Sequence, residues 1–82
     1  MLQPKLIKVE PVESGKLRLF YETGEVRLFD VRPYMEGPWY EELKNPSYFK
    51  TVHLSSDGRG IEWREGQDIA PHELYEESIM DR

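Results

Sequence analysis

Two alternating stretches joined by a short turn constrain the fold of this chain more than any other feature. Residues 16–21 (KLRLFY) and 26–30 (VRLFD) alternate apolar with polar side chains, as strands buried on one face do. A two-residue loop at Thr23 and Gly24 makes them a β-hairpin. Both faces of the hairpin are then chemically matched. The predicted cross-strand pairs are Tyr21 with Val26, Leu19 with Leu28, Phe20 with Arg27, and Arg18 with Phe29.

The turn leaves one alternative open. Thr23 suits the positive φ of a two-residue loop less well than Asn or Asp would. A longer, bulged turn around Gly24 is therefore a second interpretation. The choice matters because a slip of one residue moves side chains to the other face of a sheet.

The segments on either side of the hairpin predict short elements. A first strand is expected near residues 6–10, with Pro11 ending it. Residues 31–36 are expected to be irregular or to form a single helical turn. A short helix is predicted over residues 37–44, because Pro38 fits the first helical position, where its missing N–H costs nothing.

The middle of the chain predicts a second hairpin. Asn45 and Pro46 are expected to stop the preceding helix. Residues 51–55 and 61–63 alternate in polarity, and the Gly-containing stretch 57–60 between them reads as a turn. These two segments are therefore predicted to pair as neighbouring strands.

The last helix can be predicted position by position. Pro71 fits its first residue and makes Ala70 the N-cap. Ile69 and Leu74 then stand at the positions of a hydrophobic staple. Ala70 cannot accept a capping hydrogen bond through its side chain, so Ser or Asp there would add roughly 1 kcal/mol. The helix is expected to end near Ser78.

These elements define an α+β fold class. The predicted order is β-β-β-α-β-β-α, with a mainly antiparallel sheet of about five strands and two short helices. The 82 residues make one domain, with an ordered core over about residues 4–78. A domain of this size buries only about 60–65% of its unfolded surface, so the core is expected to be thin.

Composition excludes several classes of function. The chain has no cysteine, so it offers no thiolate nucleophile and no disulfide, and a cytoplasmic location is the default expectation. A net charge of −5 disfavours nucleic acid and anionic membrane as partners. No apolar run reaches the roughly 20 residues needed to cross a bilayer. A protein partner or self-association remains the expected kind of interaction.

Two segments together resemble a known family. Residues 20–30 (FYETGEVRLFD) and 63–75 (WREGQDIAPHELY) are similar to patterns that include G-E-x-R-x-F-D and W-x-x-G-x-D-I-x-P-x-x-L-Y. These patterns are typical of a family of short, uncharacterised bacterial proteins that carry a domain of unknown function. The matching positions include Gly24, Glu25, Asp30, Trp63, Gly66, Asp68, Pro71, Leu74 and Tyr75.

The resemblance implies no established activity. Some members look like the small second gene of toxin–antitoxin-like pairs, which implies a protein partner. The matching positions are expected to be structural: Asp30 ends a strand, and Asp68 accepts backbone N–H bonds in the turn before the last helix. The alternative is an enzyme that uses Asp30 and Asp68 as a carboxylate pair, and it ranks last.

No other constellation indicates catalysis. His53 and His72 are the only histidines, and neither stands in a Ser-His-acid pattern. His72 and Glu76 lie four residues apart on one helical face, but a metal site requires a third ligand at a matching spacing. No cofactor, metal or catalytic residue is predicted, and the protein is expected not to be an enzyme.

Two surfaces are candidate binding sites. An Arg–aromatic face on the hairpin, Arg18, Phe20, Arg27 and Phe29, has the composition of a platform for single-stranded nucleic acid. An aromatic cluster, Trp39, Tyr40 and Tyr48, is typical of a protein interface. The leading hypothesis is a small non-enzymatic interaction module, either the acidic partner of a basic toxin-like protein or a homodimer. Single-stranded nucleic-acid binding is the alternative.

Overall fold

The hairpin forms, but with the longer turn. The computed structural model describes residues 3–12, 15–38, 40–55 and 60–80. Strands β2 (Lys16–Tyr21) and β3 (Val26–Asp30) pair antiparallel. The N–H of Tyr21 donates to the carbonyl of Glu25 (3.0 Å), and the N–H of Gly24 donates to the carbonyl of Tyr21 (2.9 Å). Gly24 takes a φ of +93°, as the last residue of a bulged three-residue turn requires.

This turn shifts the predicted register by one residue. Leu19 lies opposite Arg27 rather than Leu28, and Leu17 lies opposite Phe29. The predicted pairing is therefore wrong, and the bulged alternative is confirmed. Because side chains alternate between faces, the shift moves Arg27 and Phe29 to the face opposite Arg18.

Two more strands complete the larger sheet. Strand β1 (Leu6–Val12) pairs antiparallel with β2, and β7 (Ile79–Met80) pairs antiparallel with β3. The strand order is therefore β1-β2-β3-β7. Strand β1 extends through Pro11. Proline is tolerated there because β1 is an edge strand of this sheet. Strand β7 lies where the sequence predicts only the end of a helix.

Three two-residue strands form a second antiparallel sheet: β4 (His53–Leu54), β5 (Ile61–Glu62) and β6 (Asp68–Ile69). The predicted turn at 57–60 falls largely on residues 57–59, which lie outside the described residues. Strand β6 is not predicted from the sequence. A turn with the same two backbone hydrogen bonds as the turn of the first hairpin joins it to β5. Gly66 takes a φ of +103° in that turn.

The helical segments are short. A 3-10 turn forms at Arg32–Tyr34, as predicted. The predicted 37–44 helix is reduced to a 3-10 turn at Glu41–Lys44. Helix α1 (Pro46–Phe49) begins at the proline predicted to stop a helix, because the Asn45 side chain accepts a hydrogen bond from the N–H of Ser47 (3.0 Å). Helix α2 (Pro71–Glu76) has the predicted N-cap, Ala70.

The core lies on the inner face of the larger sheet. Leu17, Leu19 and Phe29 contribute to it from that sheet, and Trp63 contributes from beside the smaller one; all are at most 1% exposed. The Trp63 indole donates to the carbonyl of Phe49 (2.9 Å), which ties the β5–β6 turn to α1. The α+β class, the antiparallel pairing and the two short helices are confirmed. The described residues form seven strands in two sheets.

Candidate interaction surface

The outer face of the larger sheet is open. Cross-strand partners in an antiparallel sheet point to the same side, so the register assigns ten side chains to this face. We call it the open face. Its members are Lys8, Glu10, Val12, Lys16, Arg18, Phe20, Val26, Leu28, Asp30 and Ile79.

An apolar block occupies the middle of the open face. Phe20 lies opposite Val26, and Leu28 lies opposite Ile79 in the next row. None of these four is among the partly buried side chains that pack against the core. Ile79 is 66% exposed. The block is therefore contiguous apolar surface that the core does not use.

Charges of both signs surround this block. Lys8 and Arg18 both approach the carboxylate of Glu10, at 3.2 and 3.6 Å. The ammonium of Lys8 also lies 5.3 Å from the centre of the Phe20 ring. Ion pairs between partly exposed groups contribute little to stability, but they balance the charge of the face locally.

At one end of the open face, Asp30 forms an ion pair with Arg32. Two guanidinium nitrogens of Arg32 donate to the two carboxylate oxygens of Asp30, at 2.9 and 2.6 Å. These bonds hold the pKa of the Asp30 carboxyl below its ordinary value. The Asp30 carboxylate is therefore held as an ion-pair partner.

The Arg–aromatic platform predicted from the sequence does not form. Arg18 and Phe20 lie on the open face, whereas Arg27 and Phe29 lie on the inner face. Phe29 is 1% exposed and belongs to the core. The prediction was wrong because it placed a two-residue loop where the chain has a three-residue one.

Arg27 instead organises a polar network under the sheet. Its guanidinium donates to the Glu25 carboxylate (3.2 Å) and to the hydroxyl and carbonyl of Ser78 (2.7 and 3.0 Å). Its guanidinium carbon lies 4.5 Å from the centre of the Tyr75 ring. These contacts fasten α2 and β7 to the first hairpin, so Arg27 has a structural role.

Glu25 and Tyr75 complete this network. The Tyr75 phenol lies 3.0 and 2.9 Å from the two carboxylate oxygens of Glu25. This hydrogen bond lowers the pKa of Glu25 and raises the pKa of Tyr75, because it favours the carboxylate and the protonated phenol together. This contact joins the first hairpin to α2, and so it connects the two segments that carry the family resemblance.

The aromatic cluster is also revised. Trp39 lies outside the described residues. Tyr40 is partly buried, and its hydroxyl lies 3.5 Å from the carbonyl of Asp68. Tyr48 is 7% exposed, so its prediction as a surface anchor was wrong. Its hydroxyl donates to Gln67 Oε1 (2.5 Å) and accepts from the N–H of Glu65 (2.8 Å). These two hydrogen bonds hold the β5–β6 turn in place.

The acidic and imidazole candidates do not converge on a site. Asp30 belongs to the larger sheet, whereas Asp68 lies exposed in β6, in a strand where the sequence predicts a turn. His53 is exposed, and hydrogen bonds to the Thr51 carbonyl and to Glu62 raise its pKa. Among the residues that the structure describes, no three His, Cys, Asp or Glu side chains group as metal ligands.

These observations define a small α+β domain built on a half-covered antiparallel sheet. The chain belongs to the family described as a protein of unknown function (DUF2442), whose model matches residues 6–79. No curated protein and no solved structure was found to match the chain. Within the described part of the chain, no helix is long and apolar enough to cross a membrane.

Proposed function

We propose that this domain is a non-enzymatic interaction module that self-associates through its open face. The apolar block of Phe20, Val26, Leu28 and Ile79 carries the proposal. Ile79 is exposed and the other three are half-buried. One covered face and one partly exposed apolar face on the same sheet are typical of sheets that pack against a second element. The absence of cysteine fits a cytosolic protein.

A second copy of the chain fits this face best. Glu10 and Asp30 offset the cations of the open face, and their ion pairs lie within one chain. A face of mixed sign can meet its own copy around a two-fold axis without uncompensated charge. Ile79, one of the exposed large hydrophobics among the described residues, lies on this face.

A basic toxin-like partner fits the open face less well. Acidic steering requires carboxylates at the contact, whereas this face carries the cations Lys8, Lys16 and Arg18 beside Glu10 and Asp30. The net charge of −5 therefore resides elsewhere on the chain. The surface that remains as a candidate for binding single-stranded nucleic acid consists of Phe20 and these cations.

Sedimentation equilibrium of the purified chain over a wide concentration range tests the proposal. We expect a reversible monomer–dimer equilibrium, and we expect Ile79→Glu to weaken it by roughly tenfold or more, because burying an unpaired carboxylate against the copy is costly. Met80→Glu is the matched control. Met80 is the next residue of the same strand and is 49% exposed, but it lies opposite Arg27 on the other side of the sheet.

Each outcome bears on the proposal. Dimerisation that Ile79→Glu weakens and Met80→Glu leaves unchanged supports it. A chain that stays monomeric at all concentrations overturns it. A dimer that both variants weaken equally also overturns it, because the dimer contact would then involve the edge of β7 rather than the open face. Salt-sensitive binding of a labelled single strand by the monomer, weakened by Arg18→Ala, would instead assign the open face to nucleic acid.

A further inference from the structure

An apolar groove lies between the end of β1 and the helical segments. Its volume is about 580 Å³, within the range of small-molecule sites. The apolar part of its wall comes from β1, from the two 3-10 turns and from α1. The residues that supply it are Pro11, Val12, Met35, Leu43, Pro46 and Phe49.

Three cations line the same groove. They are Arg32, Lys44 and Lys50, and none of the described residues that line the groove carries a carboxylate. This is a local reversal of sign in a chain whose net charge is −5. A pocket with apolar walls and a few charged groups is typical of a site that orients an amphipathic ligand.

The cations differ in how they are held. Arg32 is fixed by its paired bonds to Asp30, so its position is set by the sheet. The ammonium groups of Lys44 and Lys50 form no hydrogen bond or ion pair with any other described residue. These two lysines are therefore available to an anion that enters the groove.

Gly15 allows the wall to close at one end. A Cβ at this position would lie 3.0 Å from Arg32 Cγ and 3.0 Å from Met35 Cε, and Gly15 takes a φ of +71°. A Cβ here would require both side chains to shift by a few tenths of an ångström, and the positive φ would strain any L side chain. Glycine therefore suits both the backbone and this wall.

We propose that this groove binds a small amphipathic anion, with an apolar body against Leu43 and Phe49 and a carboxylate or phosphate head at Lys44 and Lys50. Burial of the apolar body supplies the affinity, and the two ammonium groups orient the head. The groove shares Val12 with the open face but uses neither the apolar block nor the β7 strand, so Ile79→Glu, which tests self-association, leaves the lining of the groove unchanged.

Titration with octanoate, followed by amide chemical shifts of the labelled chain, tests the site. We expect saturable shifts at Val12, Leu43 and Phe49. Octanol lacks the charge and acetate lacks the apolar body, so each should bind at least several-fold more weakly. Octyl phosphate, which keeps the same chain, distinguishes a carboxylate ligand from a phosphate ligand by which of the two binds more tightly.

Variants then locate the head group. The double variant Lys44→Gln/Lys50→Gln should weaken octanoate binding roughly fivefold to tenfold, since it removes two partly exposed charge contacts. Lys5→Gln/Arg64→Gln is the charge-matched control, because both residues are exposed and neither lines the groove or belongs to the open face; it should leave the affinity unchanged. No saturation by octanoate or octyl phosphate overturns the proposal. Equal binding of octanol also overturns it, and so does an equal effect of the two double variants.

Discussion

The rings of Tyr21 and Tyr75 meet edge to face, with their centres 5.2 Å apart and their planes at 84°. Their hydroxyls differ in environment. The Tyr75 phenol donates to Glu25, whereas the Tyr21 phenol is buried and has no hydrogen-bond partner among the described residues. Burial raises the pKa of Tyr21 to about 12, because the phenolate would be poorly solvated there.

This difference predicts opposite effects of the same substitution. Tyr21→Phe removes an unsatisfied buried hydroxyl and keeps the ring, so the free energy of unfolding should rise by about 1 kcal/mol. Tyr75→Phe removes one of the hydrogen bonds to the Glu25 carboxylate and should lower the free energy of unfolding. Urea unfolding of both variants measures the change. A Tyr21→Phe variant that is less stable than the wild type would show that its hydroxyl has a partner in solution.

The Glu25–Tyr75 hydrogen bond predicts a pH dependence of stability. The pKa of Glu25 is lowered in the folded chain, so the carboxylate form stabilises the fold. This contribution is present above the unfolded pKa of about 4.3 and is lost as the pH falls through the folded pKa. Glu25→Gln should therefore destabilise the protein at neutral pH and have a progressively smaller effect on acidification.

Thermal melts of wild type and variant across the acidic range check this prediction. Glu76→Gln is the charge-matched control, because Glu76 is exposed on α2 and forms no hydrogen bond or ion pair with another described residue. Its melting temperature should differ little from that of the wild type throughout. A Glu25→Gln deficit that stays constant as the pH falls would contradict the assignment.

Local rules predicted the elements that depend on local chemistry. Helix α2 begins at Pro71 after Ala70, as predicted, because proline at the first helical position is favoured by its fixed φ. The hairpin was also predicted, but its register was not. Thr23 and Gly24 fit both a two-residue and a three-residue loop. The hydrogen bonds from the Tyr21 N–H to the Glu25 carbonyl and from the Gly24 N–H to the Tyr21 carbonyl select the second.

Contacts distant in sequence account for what the sequence could not predict. Strand β7 has two residues, and it exists because β3 offers an edge to pair with. Tyr48 was predicted to lie on the surface, yet its hydroxyl meets a buried Gln67, 19 residues away. The open face follows from the register, so only Arg18 and Phe20 of the predicted platform remain on it.

The φ of Gly24 predicts the cost of a side chain in the turn. A Cβ at Gly24 would meet no heavy atom within 4 Å, so the cost of Gly24→Ala comes from the backbone conformation alone. It should lower the free energy of unfolding by about 1–2 kcal/mol. Gly24→Asn should cost less, since Asn tolerates positive φ better than Ala. Denaturant unfolding that ranks Asn below Ala would contradict this explanation.

The N-terminus of α2 predicts a stabilising substitution. Ala70 has the extended backbone of an N-cap (φ −65°, ψ 145°) but no side-chain capping hydrogen bond. Ala70→Ser supplies an acceptor for a free N–H of the first helical turn, so the free energy of unfolding should rise by about 1 kcal/mol. Ala70→Val, which has no acceptor, is the comparison and should give no gain. If Ser and Val have the same effect in urea unfolding, the first-turn N–H groups are already satisfied by solvent, and the missing cap does not limit the stability of this helix.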